Sequence, residues 1–374
     1  MKKIAFLSGT RADFGKIKSL LRILEEDVDF EPHIFATGMH LQQKYGFTVL
    51  EIEKSGFKNI HTFDNQTAIG TMDLSLAKTI EGFSAYIKKL NPQLIVVHGD
   101  RLETLAGAIA GALNNVLVAH IEGGEISGTV DELIRHSVSK LSHIHFVSNN
   151  VAAKRLKQMG EITESIFEIG SPDIDIMLSR NLPDLVEVKR YYEIPFETYA
   201  VSMFHPVTTE FEQMEQHAKN FVEALLEDES NYVVIYPNSD LGNEAIFEAY
   251  EQLKNNSRFR IFPSIRFEYF LTLLKKSQFM IGNSSAGIRE APYYSIPTVN
   301  IGSRQQNRSL HEDIIHTNYE TDSIYQSILL AKKKVIQSAE DTFGRGNSAN
   351  LFLETLKDAN FWQISNQKQF RDKV

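Results

Sequence analysis

Runs of four or five apolar residues recur along the chain, and between them apolar residues return at every third or fourth position. The first run, Ile4-Ala5-Phe6-Leu7, has no polar alternation, as expected of a strand covered on both faces. Ile17, Leu20, Leu21 and Leu24 then predict a helix over 15–25. Further strands are predicted at His33–Ala36, Leu94–Val97, Val116–Ala119, Ile144–Val147 and Ile166–Ile169. Leu76, Ile80, Phe83, Ile87 and Leu90 form the apolar stripe of a long helix, which Asn91-Pro92 stops. Helices are also predicted over 102–113, about 130–141 and about 150–159.

The alternation then restarts. Tyr199–Met203, Tyr232–Tyr236, Phe259–Phe262, Phe279–Ile281 and Thr298–Ile301 are predicted strands with helical patterns between them. Alternating strands and helices imply a parallel sheet covered by helices on both faces. The chain is therefore expected to hold two doubly wound α/β, Rossmann-like domains, at 1–180 and 181–345, divided in the polar, proline-containing stretch from Ser179 to Pro195. A last helical stretch, 346–374, is expected to pack back on the first domain.

Composition narrows the chemistry. A length of 374 residues exceeds one ordinary core. Hydrophobic residues at 42% and charged residues at 23% fit a soluble globular protein. A net charge of -9 argues against a nucleic-acid surface, although a local basic pocket is still open to a phosphorylated ligand. The absence of cysteine removes disulfides, thiolate nucleophiles and Cys-zinc sites. The N-terminal apolar run stops at Gly9-Thr10-Arg11, short of the roughly 7–15 residues of a secretory core. No stretch approaches the ~20 apolar residues of a membrane helix, so a cytoplasmic protein is expected.

In doubly wound sheets, ligands bind beyond the carboxyl ends of the strands. Those positions carry polar residues here. After the first strand, Gly9-Thr10-Arg11-Ala12-Asp13-Phe14-Gly15-Lys16 leads into a helix whose free N–H groups suit an anion, with Arg11 and Lys16 adding charge. An ordinary turn with solvated basic residues fits the same pattern. His98-Gly99-Asp100-Arg101 follows the next buried strand; Asp100 fits a site, and equally a helix cap paired with Arg101. His120-Ile121-Glu122-Gly123-Gly124-Glu125 puts Glu122 at a strand end ahead of two glycines. Asp131 and Arg135 share a helix face, for which a surface ion pair is the simplest account. His143 and His145 alternate on a strand, but no third ligand follows in pattern, and no metal site is expected.

The second half repeats the arrangement. His205 follows one strand, Asn238 the next, and Arg266 the third. Gly282-Asn283-Ser284-Ser285-Ala286-Gly287-Ile288-Arg289-Glu290 follows the fourth; Ser284 and Ser285 suit a helix start, and small residues such as Gly287 let a diphosphate approach. Glu290 is placed to accept from ribose hydroxyls.

These segments, with Gly170-Ser171-Pro172 and Gly302-Ser303-Arg304-Gln305, resemble the UDP-N-acetylglucosamine 2-epimerase family in order along nearly the whole chain. Glu122–Asp131 is of the type found in the hydrolysing branch, as in bacterial sialic-acid biosynthesis, with Asp in place of Glu at position 131. The resemblance implies two Rossmann-like domains in the GT-B arrangement, with the active site in the interdomain cleft. It implies conversion of UDP-GlcNAc and water to N-acetylmannosamine and UDP, with no cofactor. Asp100, Glu122, Asp131 and His205 would be catalytic. Arg11, Lys16, Arg101, Asn238, Arg266, Ser284, Ser285, Gly287, Glu290 and Arg304 would bind substrate or UDP. A homodimer or dimer of dimers is implied, with no membrane or nucleic-acid partner. Four other readings stay open: the same reaction on a UDP-linked 2,4-diacetamido sugar, a non-hydrolysing epimerase, a GT-B glycosyltransferase, and a catalytically inactive nucleotide-sugar-binding module.

Overall fold

The computed structural model describes residues 1–68, 70–305, 314–336 and 342–369. Contacts divide the chain into two compact units. The first comprises 1–125, 131–180 and the segment from 342 onward; the second comprises 126–130 and 181–341. Two details differ from the expected boundaries. Residues 126–130 cluster with the second unit, and the chain rejoins the first unit at Thr342 rather than at 346. The stretches 306–313 and 337–341 of the expected second domain lie outside the described residues.

The first unit carries strands β1 (Lys2–Ser8), β2 (Phe30–Ala36), β3 (Ile60–Thr62), β4 (Leu94–His98), β5 (Leu117–Ile121), β6 (Ile144–Val147) and β7 (Ile166–Glu168). Its helices are α1 (Arg11–Glu25), α2 (Val49–Lys54), α3 (Met72–Leu90), α4 (Leu102–Leu113), α5 (Thr129–Leu141), α6 (Asn150–Gln158) and α7 (Pro172–Met177). The sheet runs β3-β2-β1-β4-β5-β6-β7, parallel throughout. β4 and β5 are buried at every residue, as their unbroken apolar runs require. β3 is three residues long with two of them exposed, and α2 is six residues long; neither leaves a periodic signal in the sequence.

The first turn of α1 is set by its residues. Thr10 Oγ1 accepts from Asp13 N, and the Asp13 carboxylate accepts in return from Thr10 N at 3.0 Å, a capping box. The apolar face of α1 buries Ile17, Leu20, Leu21 and Leu24 against Phe6, Val96 and Phe146. After the second unit, α14 (Ser348–Lys357) returns Phe352 and Leu356 to that same core. Phe352 packs edge-on against Phe146 with ring centres 4.8 Å apart.

The second unit has β8 (Ala200–Met203), β9 (Tyr232–Ile235), β10 (Phe259–Phe262), β11 (Met280–Gly282), β12 (Thr298–Ile301) and β13 (Ile314–Thr317). Its helices are α8 (Leu185–Tyr191), α9 (Met214–Glu227), α10 (Asn243–Tyr250), α11 (Phe267–Lys275), α12 (Glu290–Tyr293) and α13 (Thr321–Lys333). Its sheet runs β10-β9-β8-β11-β12-β13, again parallel. Phe204, Phe221, Tyr232, Ile281, Val299 and Ile328 anchor its core. In each sheet the strand order reverses once, between β1 and β4 and between β8 and β11. Those reversal points are where a doubly wound sheet opens a crevice at its carboxyl edge.

Candidate active site

At the first unit's reversal point, the chain after β4 passes through Gly99 with φ +78 and reaches Asp100. The chain after the neighbouring β5 reaches Glu122, which itself adopts φ +65. A non-glycine residue there carries strain of roughly 1–3 kcal/mol that the surroundings must offset. They do so through Arg135 of α5, a side chain only 2% exposed. One guanidinium nitrogen donates to the Glu122 carbonyl at 2.6 Å, and the other is paired with the Asp100 carboxylate. Arg135 is thus a buried bridge between two strand ends rather than a surface residue. Asp131, in the first turn of α5, lies one turn before it.

The Glu122 side chain is buried and engaged. Its Oε1 accepts from Ser171 Oγ at 2.8 Å, and His98 Nε2 lies 3.3 Å from the same oxygen. Glu125 accepts from Ser148 Oγ at 2.8 Å at the end of β6. His120 bonds the Gly99 carbonyl through Nε2 at 2.8 Å and meets Ser139 Oγ at 3.1 Å through Nδ1. Burial pushes its pKa down to about 3, so it is a neutral strut beneath the Gly99 turn. His40 plays the same part beside β1, spanning Ser8 and Thr48 at 3.0 and 2.8 Å; burial, then the Arg11 charge, push it to about 3.

Asp13 is a further, half-buried carboxylate at this edge. Burial raises its pKa, while the charges of His98 and Arg101 oppose that rise. Arg101 itself occupies the N-cap of α4. Arg11 lies 4.0 Å from Glu51 of α2. Lys16 is 3.4 Å from the fully buried Asp173 of α7, an internal ion pair.

In the second unit the reversal point is organised by Asn283, which is fully buried. Its side chain accepts from His205 N at 2.7 Å and donates to His205 O at 2.8 Å. Its carbonyl accepts from Gln305 at 2.9 Å and Arg304 at 3.3 Å. His205 Nδ1 in turn accepts from Asn238 N at 3.1 Å. A neutral ring accepting at Nδ1 carries its proton on Nε2, which makes Nε2 a donor. Gly282 has φ +135, and a Cβ there would meet the Met203 carbonyl at 1.9 Å; only glycine lets β11 run so close to β8. Ser284 Oγ caps a single 3-10 turn, Ser285–Gly287, and the four-residue α12 follows. The expected helix start is therefore one tight turn, and Gly287 packs toward Thr298, where a Cβ would approach Cγ2 to 2.6 Å.

The family described as UDP-N-acetylglucosamine 2-epimerase matches residues 22–357. A curated relative of that name from Neisseria meningitidis serogroup B is 50% identical over 376 residues, covering 100% of this chain and 99% of the relative. The chain belongs to the UDP-N-acetylglucosamine 2-epimerase family.

A second relative, the UDP-N,N'-diacetylbacillosamine 2-epimerase (hydrolyzing) of Legionella pneumophila, is 34% identical over 362 residues, covering 96% of each chain. Among solved structures, the Methanocaldococcus jannaschii UDP-GlcNAc 2-epimerase in complex with UDP-GlcNAc and UDP matches with TM-score 0.81 and 21% identity. It covers 95% of this chain and 99% of that one, a likeness of fold.

Within this family member, the expected site residues fall into separate groups. Arg135 joins Asp100 to the Glu122 backbone. His205, Asn238 and Arg304 meet around Asn283. Arg266 heads α11, stacked on Tyr191 at 4.8 Å and Tyr269 at 5.5 Å, with its N–H donated to Tyr192 at 2.9 Å. Glu290 is buried in the first turn of α12. Sequence reasoning passed over Arg135, Asn283, His98 and Ser171 as site residues. All four sit within or beside the quoted motifs, so their positions were a signal; their contacts cross between distant segments and left none. His143 and His145 are structural. His143 Nδ1 accepts from Val118 N at 3.0 Å, and His145 bonds the buried Glu161 at 2.9 Å.

Proposed function

We propose that this enzyme is a hydrolysing UDP-GlcNAc 2-epimerase that releases N-acetylmannosamine and UDP. One observation carries the reading: two acidic residues, Asp100 and Glu122, stand at adjacent strand ends, and one buried arginine bonds the Asp100 carboxylate and the Glu122 backbone carbonyl. The reaction needs such a pair. The C2 proton of UDP-GlcNAc is not acidified by a neighbouring carbonyl, so cleavage of the C1–O bond must assist its loss. A base removes the C2 proton, the C1–O bond breaks, and UDP leaves with its electron pair. The product of this anti elimination is 2-acetamidoglucal. Water then adds, hydroxyl to C1 and a proton to the opposite face of C2, giving the manno configuration. Removal and return on opposite faces require more than one acid/base group. Asp100, Glu122 and Asp131 are assigned to these transfers.

The departing diphosphate gains charge as the bond breaks, and fixed donors stabilise it best. We assign His205, held by Asn283 and Asn238, to that task, with Ser284, Ser285 and Arg11. Arg101, Gly287 and Arg304 are assigned to the UDP site with them. Arg266, Asn238 and Glu290 are assigned to uridine and ribose. The Lys16–Asp173 pair gives Lys16 a supporting role, holding α1 to α7 beneath the Arg11 turn. The Neisseria relative's name supports the substrate, and the Legionella relative's name supports hydrolysis. We also place the enzyme at the entry to sialic-acid biosynthesis, in the cytoplasm, and as a homodimer or dimer of dimers.

Chromatography of a reaction containing the purified enzyme and UDP-GlcNAc tests the reading. Equimolar UDP and N-acetylmannosamine are expected. UDP-ManNAc without free UDP would assign the enzyme to the non-hydrolysing branch. Turnover of only a UDP-linked 2,4-diacetamido sugar would change the substrate and leave the mechanism standing.

A further inference from the structure

Ser171 uses its two halves on two different parts of the first unit. Its backbone N–H donates to the Phe343 carbonyl at 2.6 Å, on the segment by which the chain rejoins this unit. Its hydroxyl donates to Glu122 Oε1 at 2.8 Å. The side chain is fully buried. The segment is fitted closely to the loop that bears Ser171. Gly170 has φ +80 and Gly344 φ +127; a Cβ on Gly344 would stand 3.0 Å from Gly170 Cα and 3.3 Å from Ser171 N. One turn into α7, Asp175 accepts from Ser348 N at 2.8 Å and Ala349 N at 2.7 Å, capping α14. The backbone of Glu122 is already fixed by Arg135, so what remains to be aimed is its carboxylate.

We infer that Ser171 is a positioning residue which makes the orientation and charge of the Glu122 carboxylate depend on the docking of the Phe343–Gly344 segment. The physical chain is short. A hydroxyl donated to a carboxylate favours its ionised form and fixes its rotation. Its backbone is held from two sides, by the Phe343 carbonyl and, as the N-cap of α7, by the Ile174 N–H on its own carbonyl at 3.0 Å, so the bond to Phe343 is the part of that geometry which the returning segment supplies. Movement of the returning segment therefore reaches Glu122 through one residue. This inference rests on the proposed role of Glu122 in proton transfer.

The test compares the full-length wild type with Ser171→Ala, Ser171→Thr and Gly344→Ala. The Glu122 carboxyl carbon, labelled with 13C and assigned by its loss in Glu122→Gln, is titrated by NMR without any need for turnover. In Ser171→Ala its midpoint is expected to move to higher pH, because the donor to the ionised form is gone. With UDP-GlcNAc as substrate, kcat should fall on the order of tenfold at unchanged KM, and the limb of the pH profile reporting Glu122 should move the same way. Ser171→Thr keeps the hydroxyl and should keep the wild-type midpoint. Gly344→Ala, with Ser171 intact, should reproduce the upward shift. A wild-type midpoint in Ser171→Ala, or a loss confined to KM, overturns the positioning role. A wild-type midpoint in Gly344→Ala overturns the coupling, and that variant alone decides if Ser171→Ala does not fold. Failure of the wild type to turn over UDP-GlcNAc would reject the functional reading and leave the titration to judge the inference.

Discussion

Glu122 sits in a backbone region that side chains avoid, with its carbonyl on Arg135 and its carboxylate on Ser171. Strain of this kind persists only where surrounding contacts over-determine it. The sequence showed an acidic residue at a strand end before two glycines, which was enough to single it out. It did not show Arg135 beneath, because an arginine one helical turn from an aspartate is equally well explained by an exposed pair. Only the packing of α5 against the ends of β4 and β5 decides between them. If the carboxylates exchange protons with C2, neutral isosteres must be nearly inactive. Asp100→Asn and Glu122→Gln are each expected to lower kcat by roughly 10²–10⁴-fold, read as UDP release. Full activity in either variant would remove that residue from the mechanism.

The segments most legible in advance were those with the strongest period. The long stripe from Leu76 to Leu90 became α3, which ends at Asn91 in the left-handed conformation just before Pro92. Unbroken apolar runs became the central strands β4 and β5. β3 and β13 were missed. β3 is a short edge strand with little buried surface, and β13 reads Ile-Ile-His-Thr, only its first residue buried. The turn after β11 was read as a helix start, since Ser-Ser before apolar residues fits a cap; the chain instead makes a 3-10 turn before the short α12. At the start of α1 the capping box was not singled out, although Thr10 and Asp13 both lie in the quoted motif. Thr10→Ala is expected to cost about 1 kcal/mol in urea unfolding, because it leaves a helix N–H without its partner. A loss below a few tenths would mean that the turn is held by tertiary contacts alone.

Over the whole molecule, the buried histidines tie stability to pH. His40 and His120 each have a pKa pushed by burial from 6.5 to about 3, so the folded protein keeps them neutral while the unfolded chain protonates them. Their contribution is complete above pH 6.5 and is lost as pH falls through 6.5 toward 3. Below about pH 6 the expected slope is about 1.4 kcal/mol per pH unit for each histidine. Glu161 adds a lower window. Burial opposes its charge, but bonds from His145, Lys140 and Lys368 hold its pKa down to about 2 from 4.5. Its contribution is present above 4.5 and is lost as pH falls toward 2. Urea unfolding at pH 7, 6 and 5 should show the decline, and His40→Gln should flatten it; a flat wild-type profile would contradict the neutral-histidine account. The two parallel sheets were readable from the alternation of runs; their strand order, and with it the reversal points, was not, and the return of 342–369 to the first unit was only suggested by the helical pattern at the end of the chain. No helix among the described residues is long and apolar enough to cross a membrane. The proposed mechanism turns on one bond to hydrogen, the one at C2 of the sugar. The decisive measurement is proton NMR of the wild-type reaction with UDP-GlcNAc in deuterated buffer. Free UDP with N-acetylmannosamine deuterated at C2 is the predicted result. N-acetylmannosamine that keeps its original C2 hydrogen would contradict elimination and hydration, and with it the assignment of Asp100, Glu122 and Asp131.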